Sequence, residues 1–235
     1  MADFDNRVSP FGAARAGTGV IDQGLRSYML QVYNYMAIGL LITGAASIGM
    51  FKLAFVDQGG VITRTALGET LFTGPLMWVI MLAPFALVMV LSFGIQKMSV
   101  ATAQLTFWVY SALMGVSLGS IFLIYTPFSI VQTFLVTAIA FAGLSLYGYT
   151  TKRDMSGMGT FLMMGLIGLI VASIVNIFLK SGAMQFAISA IGVLIFAGLT
   201  AFDTQNIKNT YLQLANSDRD FLGKAAIMGA LQLYL

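Results

Sequence analysis

A chain of 235 residues that is 58% hydrophobic and only 9% charged, with a mean hydropathy of +0.88, has too little polar surface for a water-soluble globule and points to the bilayer as its solvent. Its net charge of +3, from twelve Lys and Arg against nine Asp and Glu, is too small and scattered for a nucleic-acid footprint, so no nucleic-acid partner is expected. The lack of cysteine and histidine excludes a disulfide framework, thiolate and imidazole metal sites, and the nucleophile or base of most hydrolases.

Residues 1–26 carry Asp3, Asp5, Arg7, Arg15, Asp22 and Arg26 among Gly, Ala and Ser, without the apolar stretch of a cleavable signal peptide. They are expected to form a flexible aqueous tail, with residues 27–235 as the transmembrane domain. A charge at a helix centre costs about 2.5 to 3.5 kcal/mol on the insertion scale, so uncharged intervals mark the crossings. Span one is expected over Tyr28 to Phe51, between Arg26 and Lys52, and span two over Leu71 to Gln96, between Glu69 and Lys97. The uncharged stretch from Met98 to Thr151 is long enough for two crossings of about 20 residues each. Thr126-Pro127 supplies the turn between spans three and four. Span five is expected over Met155 to Leu179 and span six over Gly182 to Phe202, while a seventh apolar stretch opens near Ala225 and is still running at Leu235. The expected architecture is an all-α polytopic bundle of about seven transmembrane helices. No strand alternation stands out.

Nine Lys and Arg (Arg7, Arg15, Arg26, Lys97, Lys152, Arg153, Lys208, Arg219 and Lys224) fall on the side of the amino terminus, against Lys52, Arg64 and Lys180 on the other. The positive-inside bias then places the amino terminus in the cytoplasm. Gly115 and Gly119 in span three, and Gly165 with Gly168 in span five, are candidate faces for close helix approach. Pro84, in the middle of span two, removes a backbone donor and predicts a kink with a freed carbonyl. Asn34 and Asn176 are expected to hydrogen-bond between helices.

Asp203 is the one acid contiguous with a hydrophobic span, and its desolvation must be offset by a cation, a proton or water. It either switches something or merely ends span six at the interface. If the helix continues through Lys208, then Leu199, Phe202, Asp203, Asn206 and Thr210 share a face and the carboxylate can point inward. Lys97 falls at the same membrane level and is the candidate latch partner. Lys152 and Arg153, followed by Asp154, read as topogenic charge, and together with Lys208 are secondary candidates.

The run Leu199-Thr200-Ala201-Phe202-Asp203-Thr204-Gln205-Asn206-Ile207-Lys208, with Ser145-Leu146-Tyr147-Gly148-Tyr149-Thr150-Thr151-Lys152-Arg153-Asp154 and Gln31-Val32-Tyr33, resembles the bacterial branch of the Bax inhibitor family from about Arg26 to Leu235. The resemblance implies a seven-helix fold with the last helix enclosed by the other six, residing in the bacterial inner membrane. It further implies a pH-sensitive calcium leak governed by two aspartates, of which Asp203 matches the first. In the family, the second directly follows the residues that match Tyr234-Leu235, so either the chain shown is truncated, which a short last helix favours, or it lacks the pair. Lys97 stands where relatives can carry an arginine that latches onto the helix-six aspartate.

Two close carboxylates share a proton to higher pH than one alone, and hard oxygen ligands attract calcium, so Asp203 is the candidate gate and calcium contact, with calcium and protons as the species handled and no resident cofactor. A second class remains: a non-conducting regulator that binds a membrane quality-control protease or other membrane proteins. An enzyme is not expected, since an intramembrane aspartyl protease needs two span aspartates and a zinc protease needs histidines.

Overall fold

In the computed structural model the described residues are 10–59, 61–215 and 217–235. Helix α1 (Pro10–Ala54) leads through a hairpin of strands β1 (Phe55–Gln58) and β2 (Val61–Arg64) to a short α2 (Ala66–Phe72). There follow α3 (Pro75–Gly94) with a 3-10 turn over Ile95–Lys97, and α4 (Val100–Leu118) with 3-10 turns over Gly119–Leu123. The chain continues through α5 (Pro127–Thr150), α6 (Ser156–Leu179), α7 (Gly182–Leu214) and α8 (Arg219–Tyr234). Six of these helices are long and apolar enough to cross a membrane: the Gln23–Ala54 part of α1, then Pro75–Lys97, Val100–Leu123, Pro127–Thr150, Ser156–Leu179 and Gly182–Leu214. The chain is thus an all-α polytopic membrane protein. Residues 1–9 of the expected tail lie outside the described residues, and from Pro10 on the backbone is helical.

Helix starts follow local chemistry. Ser99, Thr126 and Ser181 accept from the amides of Thr102 (3.1 Å), Ser129 (3.3 Å) and Met184 (3.3 Å), and Pro127 occupies the first turn of α5 at the turn read from the sequence. Asn176 closes the turn from α6 to α7: its Oδ1 accepts from Ser181 N at 3.1 Å and its Nδ2 donates to Gln185 Oε1 at 3.1 Å. Asn34, by contrast, is exposed on α1 and has no hydrogen-bond partner among the described residues, which corrects its expected interhelical role. The hairpin is a second correction. Its turn at Gly59, with φ 69°, joins Phe55–Gln58 to Val61–Arg64 in antiparallel register and turns the chain from α1 to α2.

With lipid as apolar as leucine, helices in a bilayer associate where small residues let backbones approach. Gly115 of α4 does this against α1: a Cβ there would collide with the carbonyl oxygen of Thr43 and lie 2.7 Å from Ala46 Cβ. One turn on, a Cβ at Gly119 would sit 3.1 Å from Met50 Cγ. A Cβ at Gly165 would lie 2.9 Å from Ile195 Cδ1 of α7, whereas among the described residues a Cβ at Gly168 would meet nothing within 4 Å. Gly148 of α5, which sequence spacing did not single out, is pressed against the Ala201 carbonyl of α7.

α8 packs mainly against α1, α4 and α7, and its Ala226, Ile227 and Ala230 have no solvent exposure. Leu91 and Ile95 of α3 join the same core, while α5 and α6 stand chiefly behind α7. The enclosure expected of the last helix is therefore provided by its nearer neighbours.

Pro84 is buried in an unbroken α3. It cannot donate to the carbonyl of Ile80 one turn back, and Ser117 Oγ of α4 donates to that oxygen instead at 2.9 Å, sharing its one proton with Leu113 O at 3.0 Å. The freed carbonyl is satisfied by helix packing. Ser117→Ala is expected to cost about 1 kcal/mol, read as a lower unfolding temperature in detergent. The loss should shrink in a Pro84→Ala background, where an amide returns to serve Ile80; an equal loss in both backgrounds would sink this account.

Candidate functional site

The polar residues of α7 organise one end of the bundle. The helix does not stop at Phe202 but continues to Leu214, so Asp203 lies inside it with about three turns to follow. The face expected to run from Leu199 to Thr210 is divided. Leu199 packs with Leu162 of α6, a Cβ at Gly159 of α6 would meet the Phe202 ring, and Asp203 turns to α8. There Gln232 Nε2 donates to Asp203 Oδ1 at 2.7 Å, a charge-assisted bond of the stronger class. The carboxylate is partly buried.

Lys97 is exposed on the 3-10 turn after α3, and among the described residues it is not within ion-pair distance of Asp203. The expected latch is not made in this structure, and the amide of Gln232 is the partner of Asp203 Oδ1 instead. The cation that ties α8 to this end is Lys224, whose Nζ donates to the Gln96 carbonyl at 3.3 Å.

On the other side of α7, Thr204, fully buried, joins a chain of hydroxyls. Thr204 Oγ1 donates to Thr200 O at 2.9 Å, so Ser145 Oγ donates to Thr204 Oγ1 at 3.0 Å, and Tyr33 Oη in turn donates to Ser145 Oγ at 2.6 Å. Three helices, α1, α5 and α7, are thereby joined through one oriented network. A second such joint holds α8. Tyr234 Oη lies 2.5 Å from Thr43 Oγ1, whose own proton serves the carbonyls of Gly39 and Ser111, both at 2.9 Å, so Tyr234 is the donor.

The next polar positions of α7 fasten the loop between α5 and α6. Gln205 Nε2 donates to the Arg153 carbonyl at 2.7 Å and its Oε1 accepts from Met155 N at 2.9 Å. Lys208 Nζ donates to the Tyr149 carbonyl at 2.7 Å and lies 5.6 Å from the Tyr149 ring centroid, a cation at the carboxyl end of α5 where the helix dipole favours it. Lys208 is thus a cap, and the side chains of Lys152 and Arg153 are exposed. In the same loop the Ser156 hydroxyl (2.6 Å) and amide (2.9 Å) both donate to Asp154 Oδ1 and hold its carboxyl below the usual range.

A cavity of about 260 Å³ opens at this end between α1, the end of α3, α7 and α8, with Tyr28, Gln96, Thr210, Lys224 and Gln232 among its walls. Tyr28 Oη is buried there without a hydrogen-bond partner among the described residues. Gln232 belongs both to the cavity wall and to Asp203, so a species entering the cavity meets the group that holds the carboxylate. Among the described residues no group of three or more His, Cys, Asp or Glu gathers, and Asp203 brings one carboxylate where calcium takes six to eight oxygens.

Sequence reasoning singled out Asp203 but not its partner Gln232, nor Gln205, Thr204 and Thr43, which join helices and a loop elsewhere. Ser145, Thr204, Gln205 and Tyr33 do lie in the three runs that carried the resemblance. Their signal was polarity within apolar spans.

Comparison with known proteins agrees with this architecture. Residues 25–235 match the family described as Inhibitor of apoptosis-promoting Bax1. An uncharacterized protein of Caulobacter vibrioides is 48% identical over all of this chain and 93% of its own length. Inner membrane protein YbhL of Escherichia coli is 48% identical over 90% of this chain and 86% of its own, and a protein of Rickettsia prowazekii is 46% identical over 91% and 85%. With the family matched from the first membrane span through α8, and these relatives alike over nearly their whole length, the chain belongs to the Bax inhibitor family.

Proposed function

We propose that this protein is a proton-regulated, calcium-permeable leak of the bacterial inner membrane, with its amino terminus in the cytoplasm and Asp203 as its gate. The observation that carries the reading is the bond from Gln232 to Asp203, which ties a partly buried carboxylate of α7 to the helix held within the bundle. A charged carboxylate accepts this bond strongly, and a protonated one accepts it weakly. Proton uptake therefore loosens α8 from α7 beside the cavity. Calcium, a hard cation, is drawn to the same carboxylate and competes with the proton. The relation to YbhL, named as an inner membrane protein, supports the location, and the cationic residues grouped at the Arg26 end of the bundle support the orientation.

The test is calcium flux into liposomes that carry the protein, measured across a pH series for the wild type and for Asp203→Asn, which keeps the acceptor oxygen and removes the titration. Wild-type flux should change with pH, and the variant's flux should be flat. A wild type whose flux ignores pH, or an Asp203→Asn protein with the wild-type profile, would defeat the gate. No flux at all would favour the regulator of membrane proteins, for which capture of a membrane protease is the corresponding assay.

A further inference from the structure

Away from Asp203, on the lipid-facing side of α1 and α5, runs a groove of about 660 Å³, within the roughly 300–1,000 Å³ typical of small-ligand sites. Its walls include Arg26, Tyr33, Asn34, Phe141, Leu146 and Tyr149. The inner wall is internally satisfied: the Tyr33 ring meets Phe141 edge-on with centroids 6.5 Å apart, and Tyr33 Oη is engaged by Ser145.

Among the described residues, two groups in the groove have no hydrogen-bond or ion-pair partner. Asn34 exposes a side-chain amide on the lipid side of a membrane span with no hydrogen-bond partner among the described residues. In hydrocarbon such an amide costs several kcal/mol unless something bonds it. Among the described residues Arg26, exposed, is the one charged residue lining the groove, while Lys208 is held on the carbonyl and over the ring of Tyr149, itself a wall residue. Among the described residues no acid lines the groove. From Arg26 to Asn34 the helix rises about 12 Å, so the guanidinium stands toward the headgroup layer and the amide toward the acyl layer.

We propose that this groove is a binding site for one anionic glycerophospholipid of the leaflet that meets Arg26. Its phosphate pairs with the Arg26 guanidinium. An ester carbonyl accepts from Asn34 Nδ2, and an acyl chain lies against Phe141 and Leu146. Each element of the groove has a counterpart in that molecule: a cation for the anion, a donor for the ester, an apolar trough for the chain. A free phosphate would use the cation alone and leave Asn34 and the trough empty.

The proposal is tested by native mass spectrometry of the full chain released from detergent, titrated with phosphatidylglycerol and, separately, with phosphatidylcholine of the same acyl chains. Phosphatidylglycerol should bind with a preference of about fivefold per cation engaged. Arg26→Ala should reduce that preference by about fivefold, Arg26→Lys should largely keep it, and Asn34→Leu should weaken both lipids while leaving their ratio in place. Ala142→Trp, which fills the trough from the lipid side without touching the core, should displace both lipids. Lys180→Ala, at the opposite end of the bundle, is the variant expected to bind as the wild type does. Equal binding of the two lipids by the wild type would overturn the proposal. So would undiminished binding in both Arg26→Ala and Ala142→Trp, or a preference for inorganic phosphate over the lipid.

Discussion

Gly115→Val is expected to unfold the protein at a markedly lower temperature than any conservative change on the lipid face. The Cβ it adds points at the Thr43 carbonyl and at Ala46 Cβ, and α1 is the longest helix of the chain, held along its length by α4 and α8. A flexible side chain could move aside, but a backbone oxygen cannot without parting the helices. Parting them also strains the joint at Thr43, which serves the carbonyls of Gly39 and Ser111 and receives Tyr234. The cost should reach at least about 3 kcal/mol, at the upper end for overpacking, or roughly 6–12 °C in unfolding temperature for a chain of this size. Gly143→Val is the comparison, because a Cβ at Gly143 meets nothing within 4 Å. Thermal unfolding of both in the same detergent decides the matter. If Gly115→Val lost no more than Gly143→Val, the close approach of α1 and α4 would have no energetic weight.

The second large effect concerns α8. Gln232→Leu removes the donor to Asp203 and leaves a partly buried carboxylate without its partner, at an expected cost of about 1.5–3 kcal/mol, the range for bonds to charged groups. Asp203→Leu alone orphans the amide instead. The double variant leaves neither group stranded, so its cost should fall well below the sum of the single ones, with a coupling of about 1 kcal/mol or more between the sites. Unfolding of the four proteins under one set of conditions completes the cycle. Strict additivity would mean that the 2.7 Å contact contributes nothing to holding α8.

The spans were legible because charge is so costly in hydrocarbon that Lys52, Lys97, Lys152 and Lys180 bracket nearly every crossing on their own. Gly115 and Gly119 were legible for a related reason, since lipid rewards only close approach. What polarity could not show was where helices end. Residues 203–214 are polar enough to mark the edge of the bilayer, yet their backbone amides still find carbonyls one turn back, and α7 runs on to Leu214. That extension puts Gln205 and Lys208 where they fasten the loop beside α5, a role invisible while they counted as flanking residues. Asp203 was found because an acid beside a span is conspicuous; Gln232 was missed because a neutral amide is not. Lys97 and Asp203 share a membrane level in the sequence, but level says nothing of azimuth, and the structure turns Asp203 toward α8. The hairpin escaped notice because four-residue strands are too short for alternation to show against so apolar a background.

The fastenings made by α7 have a mechanical consequence. Gln205 and Lys208 lash α7 to the α5–α6 loop, Ser145 and Thr204 rivet it to α5, and Asn176 and Gln185 to α6, so these three helices form one body. Ser117 joins α4 to α3, Lys224 joins α8 to the end of α3, and Thr43 gathers α1, α4 and α8 into another. Among the described residues just two side-chain hydrogen bonds cross the seam between the bodies, Tyr33 to Ser145 and Gln232 to Asp203. Whatever releases Asp203 from Gln232 removes half of those polar stitches at a stroke, and leaves the seam to the one that remains and to the apolar packing of Ile207 and Tyr211 against α1 and α8.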